Sequence, residues 1–171
     1  MHLFRRDGNK ILARLTQPEI QVLAAYFQHL RAIVLGEVVA DDDGTDLLER
    51  VFPSASRDDP LVAREFAEMT LDGLRKEKHE RLMTLSSAFA SRRVVLSLEE
   101  ADEIARALAD ARLITAAKCG IDEAVDYLAA GPGAEVNDDH SFNLETYRVL
   151  TLLQSTLIDA LMPPPDPLES R

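Results

Sequence analysis

A chain of 171 residues that is 46% apolar but only 5% aromatic, with no tryptophan, is long enough to fold without disulfide or metal staples. Its core must be built chiefly from aliphatic side chains packed between helices. The single cysteine, Cys119, excludes an internal disulfide and any multi-thiolate metal site, and fits a reducing compartment. The net charge of -11 excludes a surface that grips nucleic acid all over, although its sign alternates along the chain. Residues 1–36 carry +3, 37–72 carry -8, 73–93 carry +4 and 94–171 carry -10, a pattern of solvated helix faces or of a bipolar interaction surface.

Two short segments, His2 to Arg6 and Lys10 to Leu15, flank Asp7-Gly8-Asn9, and Asp-Gly between strand-like runs predicts a β-hairpin. Charged residues interrupt these first fifteen positions, so no secretory leader is expected, and no apolar run approaches the roughly 18 residues of a membrane span. A cytoplasmic protein without membrane contact is expected. Thr16-Gln17-Pro18-Glu19 reads as a capping box with an early proline. It opens a helix whose apolar stripe, Ile20, Leu23, Phe27, Leu30 and Val34, runs to Gly36.

The turn Asp41-Asp42-Asp43-Gly44 precedes a short predicted helix from Thr45 to Phe52, stopped by Pro53. That turn is no calcium loop, which needs its glycine sixth and oxygen ligands at alternating places: Gly44 stands fourth, and Leu47 and Leu48 follow. Asp58-Asp59-Pro60 starts a long helix to about Ala90. Leu61, Phe66, Met69, Leu74, Leu82, Leu85 and Phe89 are expected on its buried side, with Arg75, Lys76, Lys78, His79 and Arg81 making its late turns basic. The β-branched run near 92–97 predicts a third strand that pairs with the hairpin.

A second capping box, Ser97-Leu98-Glu99-Glu100, opens a helix marked by Ile104, Leu108, Ala111 and Thr115 and ending near Gly120. Residues 121–130 read as a short amphipathic helix, and Gly131 through His140 as a polar loop. The last helix is expected from about Asn143 to Leu161. It carries Leu144, Tyr147, Leu150, Leu153, Leu157 and Leu161 on one face, and Val149, Leu152 and Ile158 on another. A helix apolar on two sides is central, or is covered by a second subunit, so Tyr147, Leu150, Leu153, Leu157 and Leu161 are the candidates for a homodimer interface. The fold class is therefore mainly α, a helical domain over residues 1–162 with a small antiparallel β-sheet, followed by a disordered Pro-rich tail at 163–171.

Chemistry is sparse in this pattern. His2, His29, His79 and His140 have no metal-ligand spacing, no phosphate loop or nucleophile elbow occurs, and Gly131-Pro132-Gly133 lacks the Lys and Ser or Thr of a nucleotide-binding loop. His79, among charged residues, is expected to be solvated, and His29 to pack between helices. No enzyme activity, cofactor or metal is expected. Cys119 sits between Lys118, which favours a thiolate, and a helix C-terminus, which disfavours one. It reads as a plain buried cysteine or, alternatively, as a redox-responsive thiol. By sign of charge, Arg5, Arg6, Lys10 and Arg14 on the hairpin, with Arg92 and Arg93 beside it, are the candidates for contact with nucleic acid or an acidic partner.

Three segments carry a resemblance: Val51-Phe52-Pro53-Ser54-Ala55 with Arg57-Asp58-Asp59-Pro60 leading into Glu65-Phe66; Leu108-Ala109-Asp110-Ala111-Arg112-Leu113; and Leu152-Leu153-Gln154 with Leu157. Together they resemble an actinobacterial family named for the oxidative-stress transcriptional regulator AosR. The resemblance implies control of transcription under oxidative stress, by contact with a sigma factor or RNA polymerase and with promoter DNA. It also implies a second role, a non-enzymatic adaptor in Clp-type protein quality control, since family members are often encoded beside the adaptor ClpS. In structural terms Asp110, Arg112 and Gln154 are expected to bridge packed helices. One departure stands out: a sensor that closes an internal disulfide needs two cysteines, and this chain has one.

Overall fold

The computed structural model describes residues 3–37, 51–52, 60–119 and 138–162, with side chains from residue 70 in the second helix and from residue 141 in the last. In chain order the elements are β1 (Phe4–Asp7), β2 (Lys10–Arg14), α1 (Gln17–Leu35), α2 (Pro60–Ala88), β3 (Arg93–Ser97), α3 (Leu98–Lys118) and α4 (Asp138–Leu161). The architecture is mainly α with one three-stranded antiparallel sheet, order β1-β2-β3. The acidic turn, most of the helix expected before Pro53, the segment 121–137 and the tail from Pro163 lie outside the described residues.

The hairpin closes as Asp7 meets Lys10 across Gly8-Asn9. Gly8 takes φ 61° while among the described residues only glycines have positive φ, so the first turn position is left-handed and the second, Asn9, is not. That is the pattern of a II′ turn, whose twist matches the strands it joins. β3 then pairs with β2 in the register Ile11 with Leu96 and Ala13 with Val94. One face of the sheet, formed by Phe4, Ile11, Ala13, Val94 and Leu96, is buried.

Both capping boxes form. Thr16 Oγ1 accepts from the Glu19 N–H while the Glu19 carboxylate accepts from the Thr16 N–H, and Ser97 and Glu100 repeat the exchange at α3. The apolar stripe of α1 is buried throughout, joined by Tyr26 and Ile33. Phe89, one residue past α2, meets Phe4 of the sheet and Phe27 of α1 at ring-centroid distances of 6.2 and 6.1 Å, so three elements converge on one aromatic side chain. α3 lies at the centre, packed on α2, α4 and more lightly α1, and α4 also rests on β1.

Polar bridges select how these helices sit. Asp110 of α3, buried, accepts from Lys78 Nζ at 2.6 Å and from Arg81 Nη1 at 2.9 Å, both on α2. Lys78 also stands 5.9 Å from the Phe52 ring centroid. On the other side of α3, Arg112 donates to Gln154 Oε1 and to Tyr147 Oη, and Gln154 Nε2 donates to the Ala105 carbonyl at 3.2 Å. The bridging expected of Asp110, Arg112 and Gln154 is present.

Four expectations need correction. α4 begins five residues earlier than expected, at Asp138, so His140 is helical; that stretch of sequence carries no apolar stripe from which the start could be read. Leu74, expected on the buried side of α2, is exposed, because that part of the helix is turned to solvent. The basic cluster 75–81 does not complement the α2 dipole, since its last turn holds no base; Lys78 and Arg81 instead serve Asp110. His79 is half-buried rather than solvated, with its Nδ1 enclosed and without a hydrogen-bond partner.

Candidate functional site

In antiparallel pairing, directly opposed residues share a face, so the register assigns every side chain of the sheet. Arg5, Leu12 and Val95 form one row on the solvent face, Arg14 and Arg93 a second, and Asp7, Lys10 and Ser97 a third. Arg5, Lys10, Arg14 and Arg93 are all exposed there, and none forms a hydrogen bond or ion pair with another described side chain. Four cations therefore share one small face with one carboxylate of the sheet, Asp7, on a chain whose net charge is -11. Like charges so placed repel unless an anion lies over them, which makes this face the strongest candidate for contact with an acidic surface or with phosphates.

Two of the six basic candidates are placed differently. Arg6 lies on the inner row with Ile11 and Leu96, and its guanidinium donates to the Leu161 and Met162 carbonyls at 3.1 and 3.5 Å and to the Gly8 carbonyl at 3.0 Å. It caps the C-terminus of α4, where unsatisfied carbonyls favour a cation, and so is committed to the fold. Sequence alone missed this because the partners are 155 residues away. Arg92 precedes β3 and is exposed; its carbonyl accepts from the Leu15 N–H at 2.9 Å. Beneath the hairpin, Arg5, Arg6 and Asn9 border an open cleft of about 640 Å³ against Asp159 and Met162 at the end of α4.

The model of one protein family, described only as a domain of unknown function, DUF2017, matches residues 1–161, a span that takes in the three strands and four helices of the described residues. The chain belongs to the DUF2017 family. No curated protein and no solved structure matches it.

The DUF2017 chain places its one cysteine as the C-cap of α3, with 6% of the residue exposed. Around it the helices are joined by polar contacts. Tyr26 Oη of α1 donates to Thr115 Oγ1 at 3.0 Å, and Thr115 Oγ1 donates to the Ala111 carbonyl at 2.7 Å. Burial pushes the Tyr26 phenol well above its ordinary range, with the Thr115 hydrogen bond only partly opposing, so it remains a neutral donor. Lys118 Nζ lies 2.7 Å from His29 Nε2 and 3.2 Å from Asn143 Oδ1, which ties α1, α3 and α4 together at this end. His29 is thus a helix-packing residue. Cys119 is buried beside these contacts, its backbone N–H donating to the Thr115 carbonyl at 3.0 Å.

The residues expected at a dimer interface are, for the most part, the protein's own core. Leu150, Leu153 and Leu157 are fully buried against the chain itself, Leu161 packs partly against the same cluster, and Tyr147 is half-buried under Arg112, whose guanidinium carbon stands 5.3 Å from the ring centroid. Periodicity marks two apolar faces on α4 but not which one meets α3. The face left outside carries Val149, Leu152 and Ile158.

Among the described residues no three His, Cys, Asp or Glu side chains converge as a metal ion would need. Among them, too, no helix is long and apolar enough to cross a membrane.

Proposed function

We propose that this DUF2017 protein is a non-enzymatic regulator of transcription under oxidative stress. It acts in the cytoplasm by laying the outer face of its sheet on an acidic surface of a sigma factor or RNA polymerase, with promoter DNA as a further contact. What supports the reading is one observation: Arg5, Lys10, Arg14 and Arg93 share a solvent-facing sheet surface, against the one sheet carboxylate Asp7 and without an ion pair to a described side chain, on a chain of net charge -11. The resemblance of the Val51–Phe66, Leu108–Leu113 and Leu152–Leu157 segments to the AosR-named family supplies the biological setting.

The test is affinity capture from an actinobacterial lysate. The baits are reduced protein, peroxide-treated protein, a Cys119→Ser variant and a variant carrying Arg5→Glu, Lys10→Glu, Arg14→Glu and Arg93→Glu. Polymerase or sigma-factor capture that the charge-reversed variant loses is the expected result. A peroxide response that Cys119→Ser abolishes ties the regulation to the lone thiol. Capture of Clp protease components without polymerase subunits replaces this reading with the adaptor role.

A further inference from the structure

Among the described residues the order β1-β2-β3 leaves β3 with one edge unpaired, and the hydrogen-bond phase of the sheet identifies which backbone groups face it. Leu15 N–H donates to the Arg92 carbonyl, so Leu15 and Arg92 are a bonded pair, and alternation makes Ala13 with Val94 and Ile11 with Leu96 the next two. Arg93, Val95 and Ser97 consequently aim their N–H and C=O groups away from β2. Three of those groups are already engaged: the Ser97 N–H donates to Glu100 Oε2 at 2.7 Å, the Arg93 carbonyl accepts from Ser91 Oγ at 2.8 Å, and the Ser97 carbonyl belongs to the N-cap of α3, where it accepts the first helical bond. Both groups of Val95 point outward.

Along this edge runs a groove of about 460 Å³ with Val95 in its wall and Ser87 and Ile104 among its lining residues. Its two ends differ in charge. Arg93 stands at one end and Glu100 and Glu103 at the other. Natural edges are blunted by a central lysine, a proline or a bulge, and β3 carries instead an exposed valine at its middle, 42% accessible.

An antiparallel copy of the same strand fits this arrangement. Pairing centred on Val95 sets Arg93 opposite the second copy's Ser97, beside that copy's Glu100 and Glu103, and two-fold symmetry repeats the contact at the other end. Such reciprocity is what a self-complementary interface requires. We propose that the β3 edge is a homodimer seam, in which Val95 exchanges backbone hydrogen bonds with Val95 of a second copy and two three-stranded sheets become one of six strands. The seam does not depend on the regulatory reading above. It places the cations of both outer faces on one continuous surface.

The experiment is sedimentation equilibrium of the full chain from about 1 to about 100 micromolar, with three variants. Wild type is expected to show a dimer, about twice 19.0 kDa. Val95→Pro removes the outward N–H without touching a bond to β2, and its loss at two symmetric places is expected to weaken association roughly 30-fold. Arg93→Glu and Glu103→Arg are each expected to weaken the dimer, and the double variant to recover it. Circular dichroism reports whether Val95→Pro is folded; if it is not, the charge variants decide. A monomer across the whole range, including one whose edge binds a different protein, or a dimer indifferent to these substitutions, overturns the proposal.

Discussion

Lys78 Nζ lies 2.6 Å from Asp110 Oδ1, and Arg81 takes the carboxylate's other oxygen, so one buried anion on α3 holds two cations of α2. The Lys78 and Asp110 side chains are 16% and 10% exposed, so this pair is largely desolvated, whereas Arg81 retains contact with water and with Glu77. The hydrogen bond to Asp110 is also the main reason that the Arg81 guanidinium is held above its ordinary pKa. Removing the anion leaves a poorly hydrated ammonium without its partner, which costs far more than an exposed ion pair is worth.

Asp110→Ala is accordingly expected to lower unfolding stability by roughly 3 kcal/mol, the lower end for a broken buried pair because Arg81 can rehydrate. The double variant Lys78→Met with Asp110→Leu, which removes both charges, is expected to cost much less than the sum of its single changes. Urea titration checks both, with a shift in midpoint at unchanged slope as the signature.

Gln154 joins the opposite side of α3 through two atoms, accepting from Arg112 and donating to the Ala105 carbonyl. Truncation to Ala therefore strands a guanidinium proton and a carbonyl oxygen in a partly buried seam. A loss of about 1–3 kcal/mol is expected. In a double-mutant cycle Arg112→Leu and Gln154→Leu should couple by at least ~0.5 kcal/mol, whereas Gln154 and Lys78, which share no partner, should be additive.

Local chemistry made much of this fold legible. Two Ser/Thr-x-x-Glu boxes located the starts of α1 and α3, Asp7-Gly8 located the hairpin, and a β-branched run located β3. Relations between distant elements were less legible. The period of α4 shows an apolar stripe on each of two sides, yet which stripe meets α3 is decided by where Gln154 and Tyr147 find Arg112, and that put Leu150, Leu153 and Leu157 inside. Arg6 carries the same charge as Arg5 and differs only in strand parity, which requires the pairing register before it can be assigned to the inner row. The clustering of Arg5, Lys10, Arg14 and Arg93 is the converse case: charge suggested them and register gathered them.

Acid should act selectively at the start of α3. The Glu100 carboxylate accepts from the Ser97 backbone N–H, and that bond, with the Ser97 side chain adding to it, holds its pKa below the usual glutamate value. A folded-state pKa lower than the unfolded one means the unfolded chain binds the proton more readily. The contribution to stability is therefore complete above the unfolded value, about 4.3, and is lost as pH falls through the lower folded value. Glu100→Gln should flatten that portion of the stability curve while leaving the neutral-pH fold intact, as followed by thermal melts between about pH 3 and about pH 7. A wild-type and variant that lose stability in parallel would show that the cap carboxylate is not the group titrating.

Cys119 offers the most direct check on how this protein meets oxidants. The residue is 6% exposed at the C-cap of α3, so a reagent is expected to reach its thiol when that end of the helix opens. Alkylation of native protein is expected to run at least tenfold slower than in denaturant, equivalent to an opening free energy of about 1.4 kcal/mol or more. Lys118→Met, which removes the ties to His29 and Asn143, is expected to speed labelling more than it changes global stability, because it loosens one helix end. Native labelling at the denatured rate would mean that oxidants meet this thiol without any opening step, and burial would then give it no protection.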